Sequence, residues 1–426
     1  MVRFRTARLG RCRIFIAAVV ALLTVVLLPS SPQAAAQCAD PTGTVAGPSG
    51  RIRVLPLTIS AVEREAYPVR GSDGRYSVAY VLAAQNVTAQ PVRITGFDVV
   101  DAANGETAGR VVVRGFRGED VEGQVSLSAE RGGANSDSYA TLIPPGQSGY
   151  LYVNVVFRNR VAIPCRLGHR VTAVLPDVAG RPRYRAIAAR IPVSRTDAVV
   201  LAPPLRGRNW LNLDGCCAEI GPHRFTVLTP QGRPRTPETF AIDFLQLDDR
   251  GRFFEGNLKK NENWAGFGAP VYASAPGRVV YARRNMVDNV PGSFPPSTTF
   301  NNAGGNLVIT EIGPRQFIAY AHLLRGSVTV RVGDVVRRGQ KLGKLGNSGN
   351  SDSPHLHFQV MDKPSLIEAD PLPFVFDTMR LNGRFRGTAE ELDAALFSET
   401  PLSFDRDENG GRREAMPLTG DLLRFP

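Results

Sequence analysis

From Val328 to Asn350 the chain is cut repeatedly by glycine. Gly333, Gly339, Gly343, Gly346 and Gly349 leave only brief apolar runs between them, such as Val335-Val336. No helix of ordinary length fits such spacing, whereas short strands joined by tight corners do, because glycine supplies the positive-φ backbone that those corners need. Pro270 to Ala282 has the same character and reads as strand, Ala-Pro-Gly turn, strand. Helical periodicity is nearly absent before Ala389 to Leu396. The predicted second half is therefore a β-sheet domain with many turns.

The first half reads as β structure of a different kind. In Tyr150 to Phe157, Leu151, Val153, Val155 and Phe157 fall on one face, and Tyr150, Tyr152 and Asn154 on the other. Arg75 to Ala84 and Val92 to Val100 repeat the pattern, with turn signals at Asn104-Gly105 and Pro144-Pro145-Gly146. Short strands at this spacing predict an immunoglobulin-like sandwich over residues 50–197. The proline-rich stretch within 198–209 reads as a linker, 210–376 as the second domain, and 377–426 as an extension that packs back on it or is partly disordered. The expected class is all-β throughout.

The first 36 residues hold no acid and five of the arginines, Arg3, Arg5, Arg8, Arg11 and Arg13. An apolar run, Ile14 to Leu28, and Ala34-Ala35-Ala36 follow. Residues 1–36 are thus expected to be a cleaved export signal, with 37–49 a short segment after it. The apolar run is shorter than the roughly 20 residues of a spanning helix, and no later segment qualifies. The formal charge of +12 falls to +7 without those five arginines. A moderate excess with scattered basic residues favours an anionic surface such as a cell wall and argues against nucleic acid. The four cysteines outside the signal are compatible with disulfides whose pairing the sequence does not fix; Cys38 with Cys165 would tie the new N-terminus to the first domain and leave Cys216 and Cys217 to each other or unpaired.

Chemistry concentrates in the second domain, which holds His223, His322, His355 and His357. The fifth histidine, His169, lies beside an apolar strand and reads as an ordinary hydrogen-bonded group. His355 and His357, two apart on a predicted strand, should share a face. Asp243 sits in the apolar run Ala241-Ile242-Asp243-Phe244, where a carboxylate is costly to bury unless it is paired or bound to a cation. His322 follows another apolar strand, Phe317 to Ala321.

Three stretches resemble the lysostaphin/LytM-type zinc endopeptidases, whose fold is the duplicated hybrid motif. They are Gly268-Ala269-Pro270-Val271 with Ala275 to Val280, Tyr320-Ala321-His322-Leu323, and Val332-Gly333-Asp334 through Gly346-Asn347-Ser348-Gly349 to Pro354-His355-Leu356-His357-Phe358. The resemblance implies an exported enzyme, secreted, periplasmic or wall-associated, that cuts peptide cross-links of bacterial peptidoglycan with Zn2+. It also implies that Asp243 and His357 bind the metal and that His322 and His355 assist catalysis.

The sequence departs from the family at one place. The family's first histidine stands four residues before the aspartate, where this chain has Thr239. His223 is the expected substitute ligand. Glu238 is disfavoured because strand alternation would turn it away from Asp243, and Cys216 or Cys217 because an exported chain is oxidised. The alternative function is a catalytically degenerate domain that binds cell wall or regulates another hydrolase.

Overall fold

Leu151, Val153, Val155 and Phe157 enter one apolar cluster with Val78, Tyr80 and Leu82, as their two-residue spacing predicts. The computed structural model describes residues 54–102, 112–117, 125–127, 141–217 and 221–426. The expected signal peptide, the segment 37–49 and Cys38 lie outside the described residues.

Ten strands come first: β1 (Leu57–Ala61), β2 (Tyr67–Arg70), β3 (Tyr76–Asn86), β4 (Val92–Asp101), β5 (Val112–Arg117), β6 (Val125–Leu127), β7 (Leu142–Ile143), β8 (Ser148–Phe157), β9 (Arg166–Val174) and β10 (Arg183–Pro192). They form two five-stranded sheets. One runs β1-β3-β8-β6 with β2 on β3, and the other runs β10-β9-β4-β5 with β7 on β4. Both sheets contribute to the same apolar cluster, Leu82 and Leu151 from one and Phe97 and Val171 from the other. His169 is buried at that core. Its Nε2 lies 2.7 Å from the Tyr80 hydroxyl, and its other ring nitrogen bonds the Ala189 carbonyl. It is an ordinary hydrogen-bonded histidine, as expected.

The second face of the first sheet is also covered. Tyr152 and Asn154, on the polar side of the β8 alternation, are buried. Val69 and Ala79 belong to a second core made mostly of residues beyond 200.

That second region contains β11 (Val199–Leu201), β12 (Gly207–Asp214), the single-turn helix α1 (Pro222–Phe225), β13 (Ile242–Gln246), β14 (Pro270–Tyr272), β15 (Gly277–Arg283), β16 (Asn306–Gly313) and β17 (Gln316–Leu323). It continues with β18 (Val335–Val336), β19 (Lys341–Lys344), β20 (Leu356–Met361), β21 (Phe374–Phe376), β22 (Met379–Arg384), the helix α2 (Ala389–Leu396), β23 (Gly410–Arg412) and β24 (Asp421–Phe425). A ten-stranded sheet has the order β18-β15-β16-β17-β20-β13-β12-β24-β22-β23. The stretch 198–209 is more than a connector, because β11 pairs in parallel with β21 and β12 begins at Gly207. Residues 377–426 are ordered into the same sheet: β24 lies between β12 and β22. Thr388 and Glu391 form a capping box at the start of α2, and Leu392, Ala395 and Leu396 pack on Phe253, Phe254 and Trp264.

Among the described residues no helix is long and apolar enough to cross a membrane. Cys216 and Cys217 are bonded to each other. Cys165 is also disulfide-bonded, and a pairing with Cys38 lies outside the described residues.

Candidate metal centre

Strand register brings three of the expected residues together. On adjacent strands, Asp243 of β13 faces His357 of β20, and His357 faces Ala321 of β17, the residue before His322. Asp243 Oδ1 is 3.0 Å from His357 Nδ1. His355 enters from the turn before β20, where it bridges to Gly346, and its Nε2 is 3.6 Å from Asp243 Oδ1. His355 and His357 thus reach the same carboxylate, as two-residue spacing requires.

His223 reaches the site from α1, outside the sheet. Its Nε2 is 3.2 Å from Asp243 Oδ2, and its ring stands edge-on to that of His357 with centroids 5.0 Å apart. The histidine rings of His322 and His355 are 4.6 Å apart. All four histidines are at most 8% exposed.

Hydrogen bonds select the nitrogen that each ring offers. His357 donates Nε2–H to Gln359 Oε1 at 2.7 Å, which leaves Nδ1, 3.0 Å from Asp243 Oδ1, as the nitrogen on the metal side. His322 donates Nδ1–H to the Ser348 carbonyl at 2.7 Å, and His355 donates Nδ1–H to the Ser353 carbonyl at 2.8 Å. In both rings the backbone carbonyl thus engages Nδ1 and leaves Nε2 as the nitrogen not held by the backbone. His322 holds φ at 60°, a strained value for a non-glycine residue. Its N–H donates to the Gly304 carbonyl, and its own carbonyl accepts from the Gly346 N–H. The corner glycines make this approach possible, since a Cβ on Gly349 would collide with the Gly305 nitrogen.

The electrostatics are those of a cation site. Burial disfavours the charged form of His223, but the Asp243 carboxylate, with Glu238 and Asp214 beyond it, pushes its pKa up to about 10. Burial likewise opposes protonation of His357, and Asp243 again prevails and raises it. Burial works against the charge on Asp243, yet His223 and His355 hold its carboxyl well below the usual range. His322 is driven the other way, by burial and then by His355 and His357, and stays neutral. Asp214, opposite Asp243 on β12, is pushed up to about 7 by burial.

His223, Asp243 and His357 each offer a ligand atom within 4.8 Å of the others. Two imidazoles and one carboxylate are a catalytic zinc donor set, which leaves a coordination position open. His223 Nδ1 is buried without a hydrogen-bond partner among the described residues, so the ring is not committed elsewhere through that atom. The residues fit a divalent metal.

The other candidates for a third ligand do not converge on this group. Thr239 is buried and donates its hydroxyl to the Thr236 carbonyl. Residues 236–241 form turns before β13 starts, so strand alternation does not govern Glu238. Glu238 lies within electrostatic reach of His223 and His357 but outside the converging triad. Gln359 was not among the expected site residues, although it extends the two-residue spacing of His355 and His357 by one step.

Residues 263–369 match peptidase family M23. The lipoprotein NlpD of Yersinia enterocolitica is 34% identical over 108 residues, which are 25% of this chain and 91% of that protein. The chain belongs to peptidase family M23. Lysostaphin of Staphylococcus staphylolyticus is 34% identical to this M23 chain over 113 residues, 25% of this chain and 20% of lysostaphin. The peptidoglycan DD-endopeptidase ShyA of Vibrio cholerae is 32% identical over 102 residues, 24% of this chain and 20% of ShyA. The chain spans between a fifth and somewhat over a quarter of the length of such curated relatives: 28% of endolysin 2638A from a Staphylococcus phage and 20% of ShyB. The catalytic domain of lysostaphin from Staphylococcus simulans aligns at 26% identity with a TM-score of 0.20, covering 31% of this chain and 73% of that one. The M23 match includes His322, His355 and His357 and begins after Asp243 and His223. The departure at Thr239 thus falls in the part of the site that precedes the match.

Proposed function

We propose that this chain is an exported zinc metalloendopeptidase that hydrolyses peptide cross-links of bacterial peptidoglycan. The observation that carries the proposal is the meeting of His223, Asp243 and His357 beside His322 and His355, two histidines whose Nδ1–H groups are held by backbone carbonyls. The relatives named as peptidoglycan endopeptidases suggest the substrate class. The arginine-led apolar segment at the N-terminus supports export. We read the two N-terminal sheets, residues 50–197, as an immunoglobulin-like sandwich on the strength of their shared core, with 210–376 as the peptidase domain extended by 377–426.

His223, Asp243 and His357 would hold the zinc, which when bound supplies a Lewis acid for the scissile carbonyl and lowers the pKa of a water. His322, neutral and tied through Nδ1–H, takes a proton on Nε2 as general base. His355, fixed through Nδ1–H to Ser353, carries a proton on Nε2 to the departing amine or donates it to the developing oxyanion. Asp243 Oδ1 lies 3.6 Å from His355 Nε2, on the side of the ring that faces the metal position.

Metal analysis and peptidoglycan release by the purified chain test the proposal. Wild type is expected to hold one zinc. Asp243→Ala, His223→Ala and His357→Ala should lose it, while His322→Ala and His355→Ala keep it and release peptides about 10²–10⁴-fold more slowly. A chain that binds no zinc and releases no more than the His355→Ala control is a binding or regulatory domain, the alternative that Thr239 raises.

A further inference from the structure

We infer that the first β-sheet pair is a structural part of the metal centre: β3 and β8 hold the helix α1, and through it His223, against Asp243. The inference rests on the metal-centre reading above.

Asp243 and His357 are cross-strand neighbours, so the sheet ladder itself fixes their separation. His223 has no such support. It sits on a four-residue helix that no side chain caps at its start. One helical turn fixes several backbone dihedrals for little hydrogen bonding and is unstable alone. Contacts from elsewhere must therefore set the position of the ring.

Those contacts come from residues before 200. Arg224, next to His223, is 2% exposed. Its Nη2 donates to the Val153 carbonyl at 3.1 Å and the Tyr80 carbonyl at 3.3 Å, which belong to residues directly paired across β3 and β8. Phe225 stands edge-on to Tyr152 with ring centroids 4.9 Å apart. Asn154 donates Nδ2–H to the Cys217 carbonyl at 2.6 Å. Glu63 accepts from the Thr236 hydroxyl at 2.7 Å and from the Val81 N–H at 2.9 Å, tying the turn before β13 to the same sheet. A buried guanidinium bonded to strand carbonyls and an aromatic pair are rigid contacts, and they flank His223 directly. On the face of β8 turned away from its own core, Tyr152 and Asn154 both contact this segment. Arg224, Tyr152 and Asn154 are positioning residues, which touch neither metal nor substrate.

The experiment uses the full chain, zinc as the probe, and chelator competition to read stoichiometry and affinity. Arg224→Met and Asn154→Ala are compared with Ser72→Ala. Ser72 bonds Asp421 and Arg384, a contact between the same two regions that involves neither α1 nor its partners. Partners that orient metal ligands are worth about 10–100-fold in affinity. Arg224→Met and Asn154→Ala should each weaken zinc by about that factor, while Ser72→Ala stays within about threefold. If the first two keep wild-type affinity, or Ser72→Ala loses as much as they do, the inference is overturned and the metal centre stands. If wild type itself takes up no zinc, the metal-centre reading falls and takes the inference with it. Should Arg224→Met not fold, Asn154→Ala decides the outcome.

Discussion

Gln359 accepts the Nε2–H of His357 at 2.7 Å, on the side of the ring away from Asp243. The bond selects the tautomer whose Nδ1 lone pair faces the metal position. Gln359→Leu keeps the side chain's bulk and removes the acceptor. It is expected to weaken zinc by about 10–100-fold with little change in fold, read by chelator competition. Unchanged affinity would show that packing alone orients the ring.

Moving the ligand back to the family's usual position should not restore the site. Thr239 lies in a turn three residues before β13, buried, with its hydroxyl on the Thr236 carbonyl. In a His223→Ala background, Thr239→His places a larger ring where a short side chain is enclosed. The double variant is expected to stay zinc-free by metal analysis. Recovery of near-stoichiometric zinc would mean that α1 is dispensable for the site.

This pair of residues also marks the limit of what could be read from sequence. Period-two alternation predicted β3, β4 and β8, and glycine spacing predicted the corners around Gly346 and Gly349, because both are local properties. His355, His357, Asp243 and His322 were legible as chemistry, since a charged or titratable group in an apolar strand needs a reason. The placement of His223 was reached only as the remaining histidine. Nothing near it in sequence encodes the contact with Asp243, twenty residues on and across a turn-rich segment. The burial of Tyr152 and Asn154 was hidden for a similar reason. Alternation tells which face they share but not that α1 covers that face.

His169 should make the first β region acid-sensitive. Burial lowers its pKa from the ordinary 6.5 to about 4. The unfolded chain therefore takes up this proton first as pH falls. The stability is intact above pH 6.5 and is lost progressively down to about pH 4. Between pH 7.5 and pH 5 the loss from this one group is about 2 kcal/mol. Urea unfolding at the two pH values measures it, and His169→Gln should reduce the difference by about that amount. An undiminished difference would place the acid sensitivity in other groups.

Asp421, fully buried at the start of β24, pairs with Arg384 Nε at 2.7 Å and accepts from Ser72. Burial raises the carboxyl's pKa and Arg384 opposes that rise. Removing the carboxylate leaves a guanidinium in a largely enclosed position, with Glu408 as its remaining charged partner at 3.0 Å. A broken buried pair costs about 3–5 kcal/mol, whereas an apolar replacement of both members is often neutral. Asp421→Ala is expected near the lower end, because Glu408 compensates in part. Arg384→Met combined with Asp421→Ala should cost less than Asp421→Ala alone. Equilibrium urea midpoints at unchanged slope test the sign of that difference. A double variant less stable than the single one would show that Arg384 holds β22 and β24 by packing of its stem, independently of Asp421.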